Sequence, residues 1–205
     1  HERGELSFLE SIAKEGINAI DIGANVGITT VAIAKRAGGG KVYSFEPISQ
    51  YADILRENIS FNGIENASLY ELAVTAHKGF IDCYDDGLSS GIVSKEGAKK
   101  FKVPTITIDG FLHSNGISEI GLINMDCEGS ELLALRGAKE TLSMNKIQIF
   151  CEIHRDFLKQ LGYSVKDVVT YLKNLQFEVQ SVSLDSLKLG SDFDKCDYIY
   201  AQNTD

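Results

Sequence analysis

Ala19-Ile20-Asp21-Ile22-Gly23-Ala24-Asn25-Val26-Gly27 joins an apolar strand, with an acid near its end, to a glycine turn that opens a helix. The apolar run Val31, Ala32, Ile33 and Ala34 continues at helical length up to Gly38-Gly39-Gly40, so the turn lies between a strand and a helix N-terminus. A dinucleotide loop would carry G-x-G-x-x-G and seat pyrophosphate on that helix end. This chain has Gly23-x-x-x-Gly27, with Asn25 where the second glycine of that fingerprint would stand and Asp21 just upstream. A carboxylate there repels pyrophosphate and attracts an ammonium or sulfonium group. Asn25 and Gly27 also have readings without a ligand. An asparagine tolerates a left-handed turn backbone, and a glycine lets helix and strand approach closely.

Outward from the loop, Lys41-Val42-Tyr43-Ser44-Phe45 reads as the next strand, with Glu46 at its end and Pro47 stopping the ladder. An acid at that place binds a ribose diol, and nicotinamide dinucleotides use one too. Glu46 therefore indicates an adenosine cofactor, and the first loop selects S-adenosylmethionine (SAM), which has two cations and no phosphate. Read alone, Glu46 would equally serve as an acid at the N-terminus of the helix expected from about 49 to 61.

The 205 residues, 43% of them apolar, fit one domain spanning 1–205. A net charge of −9 argues against nucleic acid as the partner. The Lys95, Lys99, Lys100 and Lys102 cluster is the local exception and reads as a solvated loop edge, or as a contact for an anionic substrate. Cys83, Cys127, Cys151 and Cys196 fit neither metal knuckles nor a dense disulfide framework, so they are expected reduced and inert. The sequence shows neither an apolar run of about 18 residues nor a leader, so a soluble cytoplasmic protein without a membrane span is the expectation. The chain starts His1-Glu2-Arg3, which points to further residues upstream. Oligomeric state leaves no trace in the pattern.

Strand and helix patterns alternate, as in a parallel sheet flanked by helices. Strands are expected near 18–22, 41–45, 67–72, 120–125 and 146–152, and helices near 27–37, 49–61, 130–142 and 165–175. In the tail, 177–182 and 197–201 read as two strands with no helix between them, which favours an antiparallel pair. Residues 79–107 break the alternation: strands at 80–84 and 103–107 enclose Gly87-Leu88-Ser89-Ser90-Gly91. The segment is expected to form a flap over the cofactor, with the hydroxyls of Ser89 and Ser90 turned to ligand, or else a plain surface loop.

The ordered pieces Asp21–Gly27, Phe45-Glu46-Pro47, Asn58 and Asn62, Glu71-Leu72-Ala73-Val74, Thr107-Ile108-Asp109, Asp126-Cys127-Glu128-Gly129-Ser130-Glu131, Leu135–Ala138 and Glu152-Ile153-His154 resemble FkbM-type SAM-dependent methyltransferases over about residues 18–155. The usual lysine before the Asp-x-Glu-Gly run is Asn124 here. The resemblance implies an α/β fold: a Rossmann-like, doubly wound, mostly parallel sheet closed by a C-terminal antiparallel hairpin. It also implies methylation of a hydroxyl on a sugar or small secondary metabolite. Cofactor contacts are expected from Asp21, Gly23, Ala24, Asn25, Gly27, Glu46, Ala73, Ser89 and Asp126.

Ligands of open α/β sheets bind beyond the carboxyl ends of the strands, which gathers Asp21, Glu46, Asp126 and Glu152 into one cleft. Methyl transfer to an alcohol needs positioning and a group that takes the proton. His154 is the expected base, with Glu152 orienting it from the same side of the strand. Its alternative is to cap the helix that follows. Asp126 and Glu128 are the alternative base or substrate-orienting pair, and Asp126 alternatively binds the SAM amino group. Glu128 and Glu131 also suit a helix N-terminus. Asp126, Glu152 and His154 are acceptable metal ligands, but nothing in their spacing demands an ion and none is assigned. The competing functions are a nicotinamide-dependent oxidoreductase and a non-catalytic SAM-binding module.

Overall fold

The computed structural model describes residues 2–85, 87, 90–94 and 96–203. Helix α1 (Glu2–Ile12) precedes β1 (Ala19–Ile22), and the glycine turn leads into α2 (Ile28–Ala37), β2 (Val42–Phe45), α3 (Ser49–Phe61) and β3 (Ala67–Tyr70). Four strands follow: β4 (Ala73–Val74), β5 (Gly79–Asp85), β6 (Ser90–Gly91) and β7 (Lys99–Ile106). Alternation resumes with α4 (Ile108–Asn115), β8 (Leu122–Met125), α5 (Glu131–Arg136), α6 (Lys139–Met144), β9 (Gln148–Glu152), α7 (Arg155–Gln160) and α8 (Val165–Asn174). The described chain closes with β10 (Phe177–Ser183), β11 (Lys188–Gly190) and β12 (Tyr198–Asn203).

The main sheet runs β11-β10-β12-β9-β8-β1-β2-β3. β3, β2, β1, β8 and β9 are mutually parallel, whereas β12 enters antiparallel between β9 and β10. β1 and β8 are buried at every position, as strands covered on both faces must be. Their side chains alternate between two cores. Ile20, Ile22, Ile123 and Met125 join Phe111, Leu132 and Leu172 on one face. Ala19 and Leu122 join Phe8, Leu9 and Ile33 of α1 and α2 on the other. Asp21 and Asn124, paired in register across β1 and β8, share that second face. Strand order reverses beside β1, so the cleft opens beyond the carboxyl ends of β1, β2 and β8. No described helix is long and apolar enough to cross a membrane.

The Rossmann-like fold with its antiparallel C-terminal pair is present, with differences that have local causes. The helix expected over 130–142 is two helices, α5 and α6. A Cβ on Gly137, at the break, would come within 2.2 Å of the Thr75 carbonyl oxygen, so the chain turns where it must pass close to another backbone. Asp109 then caps α6 from outside it, accepting from the amides of Glu140 (3.0 Å) and Thr141 (2.9 Å) and from the Thr141 hydroxyl (2.6 Å). Replacing Asp109 by alanine is expected to cost about 2 kcal/mol, the worth of a lost cap with its hydrogen bonds. Urea unfolding would read it, and an unchanged midpoint would deny the cap its role. Helices α1, α4 and α7 and the extra tail strand β11 were not expected. Short length hides the last three, but α1 shows its apolar stripe in Phe8, Leu9, Ile12 and Ala13.

The segment after β3 forms its own sheet, β4-β7-β5-β6, with β5 and β7 antiparallel over Gly79–Asp85 and Lys99–Thr105. Its tip strand β6 lies on the loop after β8, where a Cβ on Gly91 would meet the Glu128 Cβ at 2.6 Å.

Candidate active site

Two cavities meet over the glycine turn. The first, about 50 Å³, is lined by Glu46 and Pro47 after β2, Leu72, Ala73 and Val74, the tip residues Ser90–Ile92, and Asp126–Glu128 after β8. The second, about 340 Å³, lies beneath α1 and is lined by Glu5, Leu6, Ala24, Ile28, Thr29, Glu152 and Tyr198. Gly23, Asn25 and Asp126 line both. The second is of a size that suits a small ligand. Gly23, at φ +78°, brings the two loops together: a Cβ there would lie 1.8 Å from the Asp126 carbonyl oxygen.

Glu46 is 1% exposed, and its two carboxylate oxygens accept from the Asn25 and Ile48 amides, each at 2.9 Å. Burial pushes its pKa up to about 7 against those two bonds, with the charges of Asp85 and Asp21 adding to the rise. The acid expected to hold a ribose thus stands at the cavity wall with lone pairs to spare. Asn25 has the left-handed backbone, φ 48°, that lets its amide turn toward Glu46.

Two expected cofactor contacts, Asp21 and Gly27, fall elsewhere. Asp21 is fully buried and lines neither cavity. One oxygen accepts from the hydroxyls of Thr29 (2.9 Å) and Thr30 (2.6 Å), and the other accepts from the Asn124 side-chain amide at 2.8 Å. Burial still pushes its pKa up. Asp21 therefore braces the loop from beneath and does not face the cofactor's cations. Asn124 accounts for the missing lysine locally, since it supplies Asp21 with a neutral donor. Gly27 lines neither cavity; it starts α2 at φ +90° and leaves room for Leu55, whose Cγ a Cβ would meet at 2.8 Å. Ser89 lies outside the described residues.

At the far side of Asp126 the acids converge on one imidazole. His154 stands just before α7, but its side chain makes no cap. Its Nδ1 instead lies 2.8 Å from Glu131 Oε1, while Nε2 faces Asp126 (3.5 Å), Glu128 (3.8 Å) and Glu152 (3.9 Å). His154 lines neither of the two cavities; it reaches them through carboxylates that do. Glu152, expected to orient it, accepts the Tyr198 hydroxyl at 2.8 Å. The orienting partner is Glu131, which is 0% exposed, takes the Gly129 amide as well, and has its second oxygen buried without a hydrogen-bond partner. Glu131 was legible as an acid but looked like an ordinary first-turn residue. Tyr198 and Glu5 gave no signal at all.

These contacts set the charges. Burial alone would lower the His154 pKa, but the hydrogen bond and charge of Glu131, with Asp126 and Glu128 behind it, push it up to about 9. Asp126 rises to about 8 through withdrawal from bulk water and the charges of Glu152, Glu128 and Glu5, opposed by His154. The two titrate as a pair. Asp126, Glu152 and His154 also bring ligand atoms within 4.8 Å of one another. Glu131 holds Nδ1, which leaves Nε2 toward Asp126 and Glu152.

The residues present fit SAM. The donor set is Glu46, Asp126 and Glu128 at one cavity and Glu5, Asp126 and Glu152 at the other, and among the described residues no lysine or arginine lines either. That chemistry would repel a pyrophosphate.

Known proteins agree. A crystal structure of methyltransferase FkbM from Methylobacillus flagellatus superposes with a TM-score of 0.59 at 17% identity, covering 92% of this chain and 44% of that one. A Streptococcus mutans methyltransferase solved with S-adenosylhomocysteine (SAH) gives 0.57 at 15%, covering 99% and 97%. Ribosomal protein L11 methyltransferase from Caldanaerobacter subterraneus subsp. tengcongensis is 36% identical over 66 residues, which is 32% of this chain and 21% of that protein. The chain thus spans under half of the Methylobacillus protein and matches about a fifth of the curated relative. The methyltransferase FkbM domain profile matches residues 21–179, covering most of the chain, and the protein belongs to that SAM-dependent methyltransferase family.

Proposed function

We propose that the chain methylates a hydroxyl of a sugar or other small polyol, with SAM as methyl donor. The observation that carries this reading is the pair of cavities sharing Asp126: a Glu46-walled space for adenosine and an acid-walled space beneath α1 for the methyl end and the acceptor. Glu46, Ala73, Gly23 and Asn25 would hold the adenosine side, with the β5–β7 sheet as a flap above it in a single domain. SAM supplies an electrophilic methyl group whose leaving group is a neutral thioether. The chain's own residues supply orientation and a proton acceptor. Asp126, backed by His154, faces the shared space and takes the hydroxyl proton; Glu131 holds the imidazole in place, and Glu128 and Glu152 keep the wall negative. Among the described residues, the charged side chains lining the two cavities are all acids, which favours a neutral or amine-bearing polyol over a phosphate-bearing acceptor.

Calorimetric titration with SAM, SAH and NAD tests the cofactor, and radiolabelled methyl transfer to a panel of polyols, aminosugars, ribosomal RNA and ribosomal protein tests the acceptor. Micromolar binding of both sulfur ligands and none of NAD is expected; NAD binding alone would favour an oxidoreductase. Glu46→Ala is expected to weaken SAM about a hundredfold, the worth of charge-assisted hydrogen bonds to a diol. Unchanged affinity in that variant would remove Glu46 from the adenosine site. Labelling of RNA or protein and of no polyol would replace the acceptor class.

A further inference from the structure

Asp126 and Glu128 from the loop after β8, Glu131 from α5 and Glu152 from β9 face His154, while the charge of Glu5 from α1 acts on Asp126 and Tyr198 from β12 donates to Glu152. None is a cation. The neighbouring Arg155 is turned away, donating to the carbonyls of Phe193 (2.7 Å) and Cys196. The buried thiols of Cys127 and Cys151 are pushed well up by burial and by the Glu131 charge, so they hold their protons. A proton on the Asp126–His154 pair offsets part of this negative charge, and the imidazole holds Glu131 through Oε1 at 2.8 Å, the oxygen that also takes the Gly129 amide.

Asp126 alone among these acids lines both cavities and also sits 3.5 Å from His154 Nε2. Resting on the methyltransferase reading, we infer that Asp126 couples cofactor to base: a cation arriving against Asp126 takes over the offsetting role, the pair gives up its proton when SAM binds, and only the loaded site can accept one from the acceptor. A unit charge within about 6 Å, at an effective dielectric of roughly 20, shifts such an equilibrium about a hundredfold.

The transfer step then conserves charge within the cleft. The acceptor O–H bond breaks and its proton goes to the pair. The oxygen lone pair forms the new O–C bond while the C–S bond breaks and leaves its electrons on sulfur. One positive charge is lost from sulfur as one is gained by the pair. SAH keeps the ammonium group but lacks the sulfonium, so it displaces the proton less than SAM does.

The test is calorimetric titration of the whole chain with SAM and with SAH at pH 8, each in phosphate and in Tris, whose ionisation enthalpies differ. The buffer dependence is expected to show about one proton released per SAM bound and less than half of that with SAH. Asp126→Asn is expected to abolish the release. Should that variant no longer bind, the His154 ring carbon shift in the native chain, assigned with His154→Gln, decides by NMR. It is expected to be cationic without ligand, to move toward neutral with SAM, and to return toward cationic with SAH. Equal release for both ligands, no release with SAM, or an unmoved His154 shift overturns the coupling and leaves the methyltransferase reading standing. Absence of binding by either ligand overturns that reading instead.

Discussion

Replacing Asp126 by asparagine is expected to lower turnover on the accepted hydroxyl by about a thousandfold, the middle of the range for loss of a general base. The amide keeps the shape of the carboxylate but cannot take a proton, and it removes the negative charge between the two cavities. Affinity for SAM should fall as well, by about tenfold, because a carboxylate facing a cation is lost. Initial rates at saturating SAM separate the effects: the loss in kcat persists there, and the loss in affinity does not. Turnover within threefold of the native chain would take Asp126 out of the mechanism. His154→Ala should also cut turnover while changing SAM affinity little, since the imidazole acts through Asp126.

The second large effect is on stability. Glu46, Asp126 and His154 all have folded-state pKa values above their ordinary ones, at about 7, 8 and 9. For each, the folded chain keeps a proton that the unfolded chain has already released, so stability falls with rising pH. Glu46 contributes fully below its ordinary 4.5 and loses that contribution as pH passes 7. His154 does the same between 6.5 and 9. Glu46 alone is worth about 3 kcal/mol on this reckoning, or about 6–12 °C in Tm for a chain of this size. Asp126 adds less, because 39% of its side chain faces solvent in the cleft and is screened. Melting curves of the ligand-free chain at pH 5, 6, 7, 8 and 9 should therefore show a steady decline in Tm. A flat or rising profile would contradict the burial of these charges, and Glu46→Gln should flatten the segment from pH 5 to 7.

The parts of the fold that were readable in sequence are those with a long or repeated pattern. The alternation around 18–62 and the helixless tail fixed sheet type and the antiparallel closure. Helices of six to eight residues carry too few apolar positions to stand out, and the break at Gly137 depends on Thr75, a contact far away in sequence. The site divides the same way. Glu46 and Asp126 could be placed because a strand end projects its residue into the cleft. Asp21 could not, because whether an acid in a strand faces a ligand or a neighbouring strand is decided by its partners, here Asn124, Thr29 and Thr30. Glu131 was hidden for the opposite reason: its first-turn position is ordinary, and only the return of His154 from another strand gives it a role.

The acid walls act before anything is bound. On a chain of net charge −9, a cleft lined by carboxylates between low-dielectric walls concentrates the field at its mouth. A sulfonium cofactor drifts inward along that field, while ATP, NAD and other phosphorylated molecules are slowed at a distance comparable to the Debye length, about 8 Å in physiological salt. Discrimination among adenosine compounds is then partly a matter of encounter rate, decided in solution ahead of any contact with Glu46.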